Sequence, residues 1–358
     1  MVFREKLLRY REEIEKEIER FFDLKKKSFD TSNGIMGETL RMMEDYVTRG
    51  GKRIRPAIVM ASYKGFSGED SDEIIKLSVS LEFMHASLLV HDDVIDRSVM
   101  RRKGETIHMW IKRWYMENFG AEESEAEKFG NDMAILVGDI YSGMALEILA
   151  NSDMDAEKKN EVLEMYQKTY QFTNIGQILD LWLHRGKDGV SERDNFEIMD
   201  RKTVAYTFEN PLKIGALLAG VFEEKKEEIE NVSRHMGRAY QLKDDLLDIY
   251  ADEEDLGKKV LTDMKEGKKT IPVVKAIENG SKEQVEQIFS LLGKDSFSEE
   301  DIEIVRDIID YTGALDYCER LIEANIEESK NWIDKLGFEE DIELFFYEMA
   351  DFIGERGF

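Results

Sequence analysis

The chain has 358 residues, 42% of them hydrophobic, and a net charge of −27 from 77 acidic and 50 basic side chains. That length suffices for one large core or two domains. The negative field excludes nucleic acid and anionic membranes as bulk partners and demands a local basic pocket for any anionic ligand.

The N-terminal stretch MVFREKLLRYREEIEKEIERFF is charged from its fourth residue and lacks a signal-peptide apolar core. A membrane span needs about 18 uncharged apolar residues, and the best run, AILVGDIYSGMALEILA, is interrupted by Asp139 and Glu147. The single Cys318 excludes an internal disulfide and fits a reducing compartment. The expectation is a cytoplasmic protein without a membrane span.

Following the chain, GGKRIRP supplies Lys52, Arg53 and Arg55 beside two flexible glycines. Next, EIIKLSVSLEFMHASLLVHDDVID places Ile75, Leu77, Leu81, Met84, Leu88 and Ile95 near one broad face, which is helical periodicity. The segment MWIKRWYMENFGAEESEAEKFG is expected to be an acidic insertion between helices. NEVLEMYQKTYQFTNIGQILDLWLH and VSRHMGRAYQLKDDLLDIY repeat the helical spacing. DTSNGIMG, GFSGEDSD, RGKDGVSE, GSKE and GKDSFSEED are short turn signals. Only Pro56, Pro211 and Pro272 interrupt the chain, and no low-complexity linker divides it. The pattern predicts one all-α domain over residues 1–358, a bundle of about ten or more helices.

Chemistry concentrates in two triads. Asp92, Asp93 and Asp96 stand in LLVHDDVIDRSVMRRKG, and Asp244, Asp245 and Asp248 in QLKDDLLDIY. On a helix, Asp92 and Asp96 share a face. Carboxylates gathered this way suit magnesium, which bridges protein carboxylates and substrate phosphates. One copy is weak evidence, because acids are abundant and a solvated helix end explains it. The chain has two Asp-Asp pairs, however, and each is followed by an aspartate three residues on, after an apolar helical run. A charge cluster ending a buried helix is expensive unless solvent or metal compensates it. Facing each other across a bundle, two such helices predict a metal–diphosphate clamp at the mouth of an apolar cavity.

Basic groups supply the complement: Lys52, Arg55, Arg101, Arg102, Lys202, Lys258 and Lys268. Arginine forks match phosphate geometry and lysine adds a point charge. Taken singly, each fits a solvated surface. Together they are the pocket that an acidic protein needs if it binds two diphosphates. Cys318 has no plausible base beside it, and five scattered histidines show no zinc spacing.

At these residues the chain resembles the trans-isoprenyl diphosphate synthases, the polyprenyl synthase family, and within it geranylgeranyl diphosphate synthase. GGKRIRP, HDDVIDRSVMRRKG, GQILDL, KTVAYTFENPLKIGA, QLKDDLLD and GKKVLTDMKEGKKT occur in family order over nearly the whole chain. The resemblance implies the all-α isoprenoid synthase fold around a deep central cavity, and a cytoplasmic homodimer. It implies isopentenyl diphosphate held by Lys52, Arg55, His85 and Arg102. The allylic diphosphate falls to Arg101, Lys202, Thr203, Gln241, Lys258 and Lys268. A cluster of about three magnesium ions, replaceable by manganese, would rest on Asp92, Asp96 and Asp244, with Asp93, Asp245 and Asp248 supporting. Two local departures bear on loop conformation: Lys103 intervenes before Gly104, and Glu105 stands where proline is common. The acidic stretch after His108 is also longer than usual.

The implied reaction ionises an allylic C–O bond and adds isopentenyl diphosphate to the cation. Its product tail would grow along the helix before Asp92. Ser87, five residues upstream, is too small to stop it. Phe83 and Met84 lie one turn deeper, about 5.4 Å, and favour a C20 product, with C25–C30 or farnesyl as alternatives. Facing residues such as Tyr141 and Met144 can set the floor instead. A terpene cyclase would share the first triad but needs no second diphosphate site, which GGKRIRP and Arg102 argue for. A non-catalytic helical subunit of a heteromeric synthase would have no reason to keep both triads with the lysines.

Overall fold

The computed structural model describes residues 2–28, 34–185, 189–251 and 260–355. These residues are helical almost throughout, as the three-and-four apolar spacing requires. The turn signals at 30–33 and 186–188 lie outside them. Each proline falls in the first turn of a helix, where its missing N–H costs nothing. Ser191, Ser281 and Ser298 close capping boxes with Asp194, Gln284 and Asp301, satisfying otherwise orphaned backbone donors.

The chain divides into two compact units. The first, Arg4–Glu164, holds most of α1 (Val2–Ser28), then α2 (Gly34–Thr48), α3 (Ile54–Ser67), α4 (Asp72–Ile95), α5 (Ile107–Phe119), α6 (Glu123–Ala150) and the start of α7 (Ala156–Arg185). Within it α4 packs on α6 and α3, and α5 packs on α6. By length and composition alone, α4 and α6 could cross a membrane, which the reading of the bare sequence did not anticipate. The apolar window of α4 is 72% buried inside the unit, so α4 is a core helix. That of α6 is only 39% buried and exposes Ile135, Leu136 and Ile140. The expected insertion after His108 is instead ordered helix. Trp110 stacks on Trp114 and Tyr115 on Phe129, and Glu123 and Glu125 open α6, where the helix dipole favours them.

The second unit comprises Met165–Phe358 with the first three residues. After the rest of α7 come α8 (Glu192–Met199), a π-helix (Asp200–Glu209), α9 (Asn210–Ala219) and α10 (Phe222–Tyr250). There α10 packs on the π-helix and on the helix Ala314–Leu336. Ile249 at the end of α10 joins Leu261, Met264, Val273 and Ile309 from beyond it in an apolar cluster.

Candidate active site

Both triads sit at helix C-termini. Asp92 and Asp93 lie in the last turn of α4, and Asp96 caps it. Asp244, Asp245 and Asp248 occupy the last two turns of α10. This end is the negative pole of the helix, so carboxylates there are disfavoured unless a cation joins them.

In the first unit the triad is not uniform. Asp92 and Asp96 are half-buried, whereas Asp93 is 1% exposed. One oxygen of Asp93 accepts from the Tyr46 hydroxyl at 2.7 Å and the other from Arg101 Nε at 2.7 Å. Burial pushes the Asp93 carboxyl above its usual pKa, against the pull of the Arg101 charge. Its supporting role is therefore to hold protein groups.

Arg101 reaches this position on a hairpin. Strand β1 (Met100–Arg101) pairs antiparallel with β2 (Gly104–Glu105), Arg101 opposite Gly104. The two connecting residues, Arg102 and Lys103, have φ of 51° and 62°, the signature of a type I′ turn. The extra Lys103 thus completes a two-residue hairpin. Glu105, where proline is common, accepts from Arg113 at 2.9 Å, and its carbonyl accepts from Arg49 at 3.0 Å.

Arg102 turns toward the glycines of GGKRIRP. It donates to the Gly50 carbonyl at 3.5 Å and stands 3.5 Å from His85 Nε2. Gly51 has φ of 99°, a conformation that favours glycine, and a Cβ there would come within 3.1 Å of the Arg102 guanidinium, which would have to shift slightly. Crowding by protein, then the charges of Arg55, Arg102, Arg101 and Arg53, holds the His85 imidazole well below its usual pKa. Neutral, it can accept from Arg102. Arg55 is half-buried and Lys52 exposed. Arg53 is buried; it bonds Glu82 at 2.7 Å and the Val47 carbonyl at 2.8 Å, anchoring the loop. Arg55, Arg101 and Arg102 thus lie around a neutral His85.

Deeper along α4, Ser87, Met84 and Phe83 are all buried. The Phe83 ring lies 4.9 Å from Phe21 and 5.8 Å from Phe22 on α1, and 6.1 Å from Tyr141 on α6. The Tyr141 hydroxyl donates to the Met43 carbonyl, and Met144 is buried nearby in sequence on α6.

In the second unit, the π-helix carries Lys202 and Thr203. Lys202 bonds the buried Asp180 at 2.7 Å. Burial alone would raise the Asp180 carboxyl, but Lys202 and Lys268 hold it below its usual pKa. Thr203 donates to Gln241 at 2.7 Å, and Gln241 donates to Asp245 at 2.9 Å. Asp248 accepts from Thr262 and from the backbone N–H of Asp263 at 3.0 Å. Asp244 is the half-buried member of this triad; Asp245 and Asp248 are each 3% exposed. Lys268 approaches Asp263 at 3.5 Å. Lys258 lies outside the described residues. Tyr46 and Asp180 were not anticipated. Asp180 belongs to the quoted GQILDL and could have been paired with a lysine, but no local signal marks Tyr46.

Among the described residues, no three His, Cys, Asp or Glu side chains already converge as a metal cage. Magnesium, where it binds, keeps several waters and takes one or two carboxylates plus substrate phosphates. Burial, then Asp263, Asp244 and Asp248, pushes the Asp245 carboxyl well above its usual pKa, and a divalent cation would relieve that crowding. In each unit the half-buried carboxylates, Asp92 and Asp96 in one and Asp244 in the other, offer hard oxygens of the kind magnesium takes.

The polyprenyl synthetase family profile matches residues 37–309. The chain belongs to that family. It is 31% identical over 329 residues to a short chain isoprenyl diphosphate synthase of Methanothermobacter thermautotrophicus, covering 91% of this chain and 93% of the relative. It is 31% identical to a geranylgeranyl diphosphate synthase of Sulfolobus acidocaldarius, with 81% of each chain covered. A crystal structure of Corynebacterium glutamicum geranylgeranyl pyrophosphate synthase, complexed with isoprenyl diphosphate and magnesium, superposes with a TM-score of 0.91 at 27% identity, covering 97% of this chain and 99% of that one. The protein has the all-α isoprenoid synthase fold and is a prenyltransferase, a trans-isoprenyl diphosphate synthase resembling the geranylgeranyl enzymes that elongates prenyl chains.

Proposed function

We propose that this polyprenyl synthetase makes geranylgeranyl diphosphate, C20, in a magnesium-dependent condensation of isopentenyl diphosphate with dimethylallyl, geranyl or farnesyl diphosphate. The aromatic cluster around Phe83 carries the chain-length reading. Ser87 is a small side chain five residues before Asp92, while Phe83 is braced by Phe21, Phe22 and Tyr141 and resists swinging aside. The Sulfolobus acidocaldarius relative, named as a geranylgeranyl diphosphate synthase, points the same way.

Arg55, His85 and Arg102, with Lys52, are proposed to take isopentenyl diphosphate. Lys202, Thr203, Gln241 and Lys268 in the second unit, and Arg101 in the first, are proposed for the allylic diphosphate, with Lys258 alongside. Asp92, Asp96 and Asp244 would hold magnesium, which when bound would supply charge neutralisation for the leaving pyrophosphate. The basic side chains hold both diphosphates so that the alkene lies against the allylic carbon. The C–O bond breaks with its electron pair going to pyrophosphate, the alkene forms the new C–C bond, and the resulting cation loses a proton to that pyrophosphate. No protein nucleophile takes part.

The whole chain is proposed to act as one synthase domain, as a cytoplasmic homodimer. Exposed apolar residues support the dimer: Ile135, Leu136 and Ile140 on α6, and Phe172, Ile175, Ile178 and Trp182 on α7. A product-length assay with labelled isopentenyl diphosphate tests the chain-length reading. Ser87→Phe is expected to shift the main product toward C15, and Phe83→Ala or Met84→Ala to lengthen it. An unchanged product in all three variants moves the floor to other residues and removes the reason for C20.

A further inference from the structure

Asp93 stands between two proposed metal ligands in sequence, yet its side chain is committed inward. Its two oxygens are divided, one to Tyr46 and one to Arg101, each at 2.7 Å. Arg101 needs such an anchor. It sits on a strand of two residues, and so short a hairpin has little stability of its own. A free arginine side chain also gives up about 2 kcal/mol of rotamer entropy when a ligand immobilises it. Nε and Nη2 of Arg101 are both held on one Asp93 oxygen, which orients the guanidinium plane in advance. That leaves the carboxylate free to pivot about its own bond unless the second oxygen is fixed.

Tyr46 fixes it. The residue is 4% exposed. Its ring lies 6.4 Å from Tyr141, and the Arg49 guanidinium stands 5.7 Å from its centroid. A ring held on those sides delivers its hydroxyl to one point. We propose that Tyr46 is a positioning residue for the condensation: its hydroxyl locks the Asp93 carboxylate, and Asp93 in turn sets Arg101 in the orientation that meets the allylic diphosphate. This rests on the proposal that Arg101 binds that substrate.

Tyr46→Phe keeps the ring and removes only the donor. It is expected to raise the KM for the allylic diphosphate about tenfold while leaving the KM for isopentenyl diphosphate within about twofold. A purely structural role would weaken both substrates together. A double-mutant cycle with Arg101→Lys separates the steps. Lysine cannot keep the two-nitrogen grip on Asp93, so Tyr46→Phe is expected to add less than about twofold in that background. Full multiplication of the two effects overturns the inference. A raised allylic KM in Arg101→Lys with an unmoved one in Tyr46→Phe overturns the inference alone. An unmoved allylic KM in Arg101→Lys removes Arg101 from the allylic site and overturns both. Should Tyr46→Phe not fold, Asp93→Asn, which keeps the side-chain shape but weakens the hold on Arg101, is expected to show the same allylic-selective rise, and equal effects on both substrates would overturn the inference.

Discussion

Neighbouring aspartates in the first triad do different work. Asp92 and Asp96 are half-buried, whereas Asp93 is spent on Tyr46 and Arg101. Asp92→Ala removes a half-buried side chain and is expected to cost less stability than Asp93→Ala while lowering turnover by about two to three orders of magnitude, as loss of charge neutralisation at a leaving group does. Asp93→Ala strands a guanidinium and a hydroxyl, and is expected to cost about 3 kcal/mol of stability besides. Denaturation and kinetics on the two variants decide this. Equal stability losses would erase the distinction, and activity within a few-fold of the parent in Asp92→Ala would reduce the triad to a solvated helix end. The basic residues divide by substrate in the same way. Arg55→Ala is expected to raise the KM for isopentenyl diphosphate about tenfold, with less effect on the allylic partner, and Lys202→Ala the reverse. Steady-state kinetics with each substrate varied in turn checks it; matched losses for both substrates in both variants would refute the two-site assignment.

Two elements turn local backbone geometry into side-chain placement. The hairpin after α4 uses Lys103 to complete a two-residue turn, so Arg101 and Arg102 leave it in different directions, one to Asp93 and one to Gly50 and His85. The π-helix Asp200–Glu209 lays Lys202 against α7, and π-helical segments commonly mark functional sites. This close approach depends on Gly176, where a Cβ would stand 2.8 Å from the Lys202 backbone nitrogen. Backbone cannot rotate away as a flexible side chain can. Gly176→Ala is expected to cost about 1–3 kcal/mol and to raise the allylic KM by displacing Lys202 from Asp180. Urea titration and kinetics read the two effects; if neither moves, the π-helix tolerates the shift and the glycine has no special place.

At the scale of the whole molecule, an acidic protein that takes two diphosphates, as proposed, has to concentrate cations locally. With a net charge of −27, the arginines around His85 and the lysines on and after the π-helix must act at close range, because the long-range field repels diphosphates. Assembly concerns the exposed apolar residues. Leu136 is 54% exposed and Trp182 77%, and exposed apolar stripes of this kind mark interaction surfaces. Leu136→Glu and Trp182→Glu are each expected to convert a dimer to the 41.7 kDa monomer in sedimentation. A parent protein that already sediments as a monomer would end the dimer proposal.

Local spacing alone determined much of this protein. Apolar residues three and four apart made the chain helical, and two Asp-Asp-x-x-Asp repeats at the ends of such runs, with GGKRIRP and the two arginines, carried the family resemblance. Those properties depend on residues within a few helical turns of one another. Tertiary structure decided how deeply each member of the clusters is buried. Asp92 and Asp93 are adjacent in sequence, but helical rotation sends one toward half-open surface and the other to Tyr46, 47 residues away. Lys202 meets Asp180 across 22 residues, and Phe83 meets rings from α1 and α6. Whether a carboxylate stays half-exposed or becomes a brace depends on what buries it, and burial comes from elements distant in sequence, which local spacing does not encode.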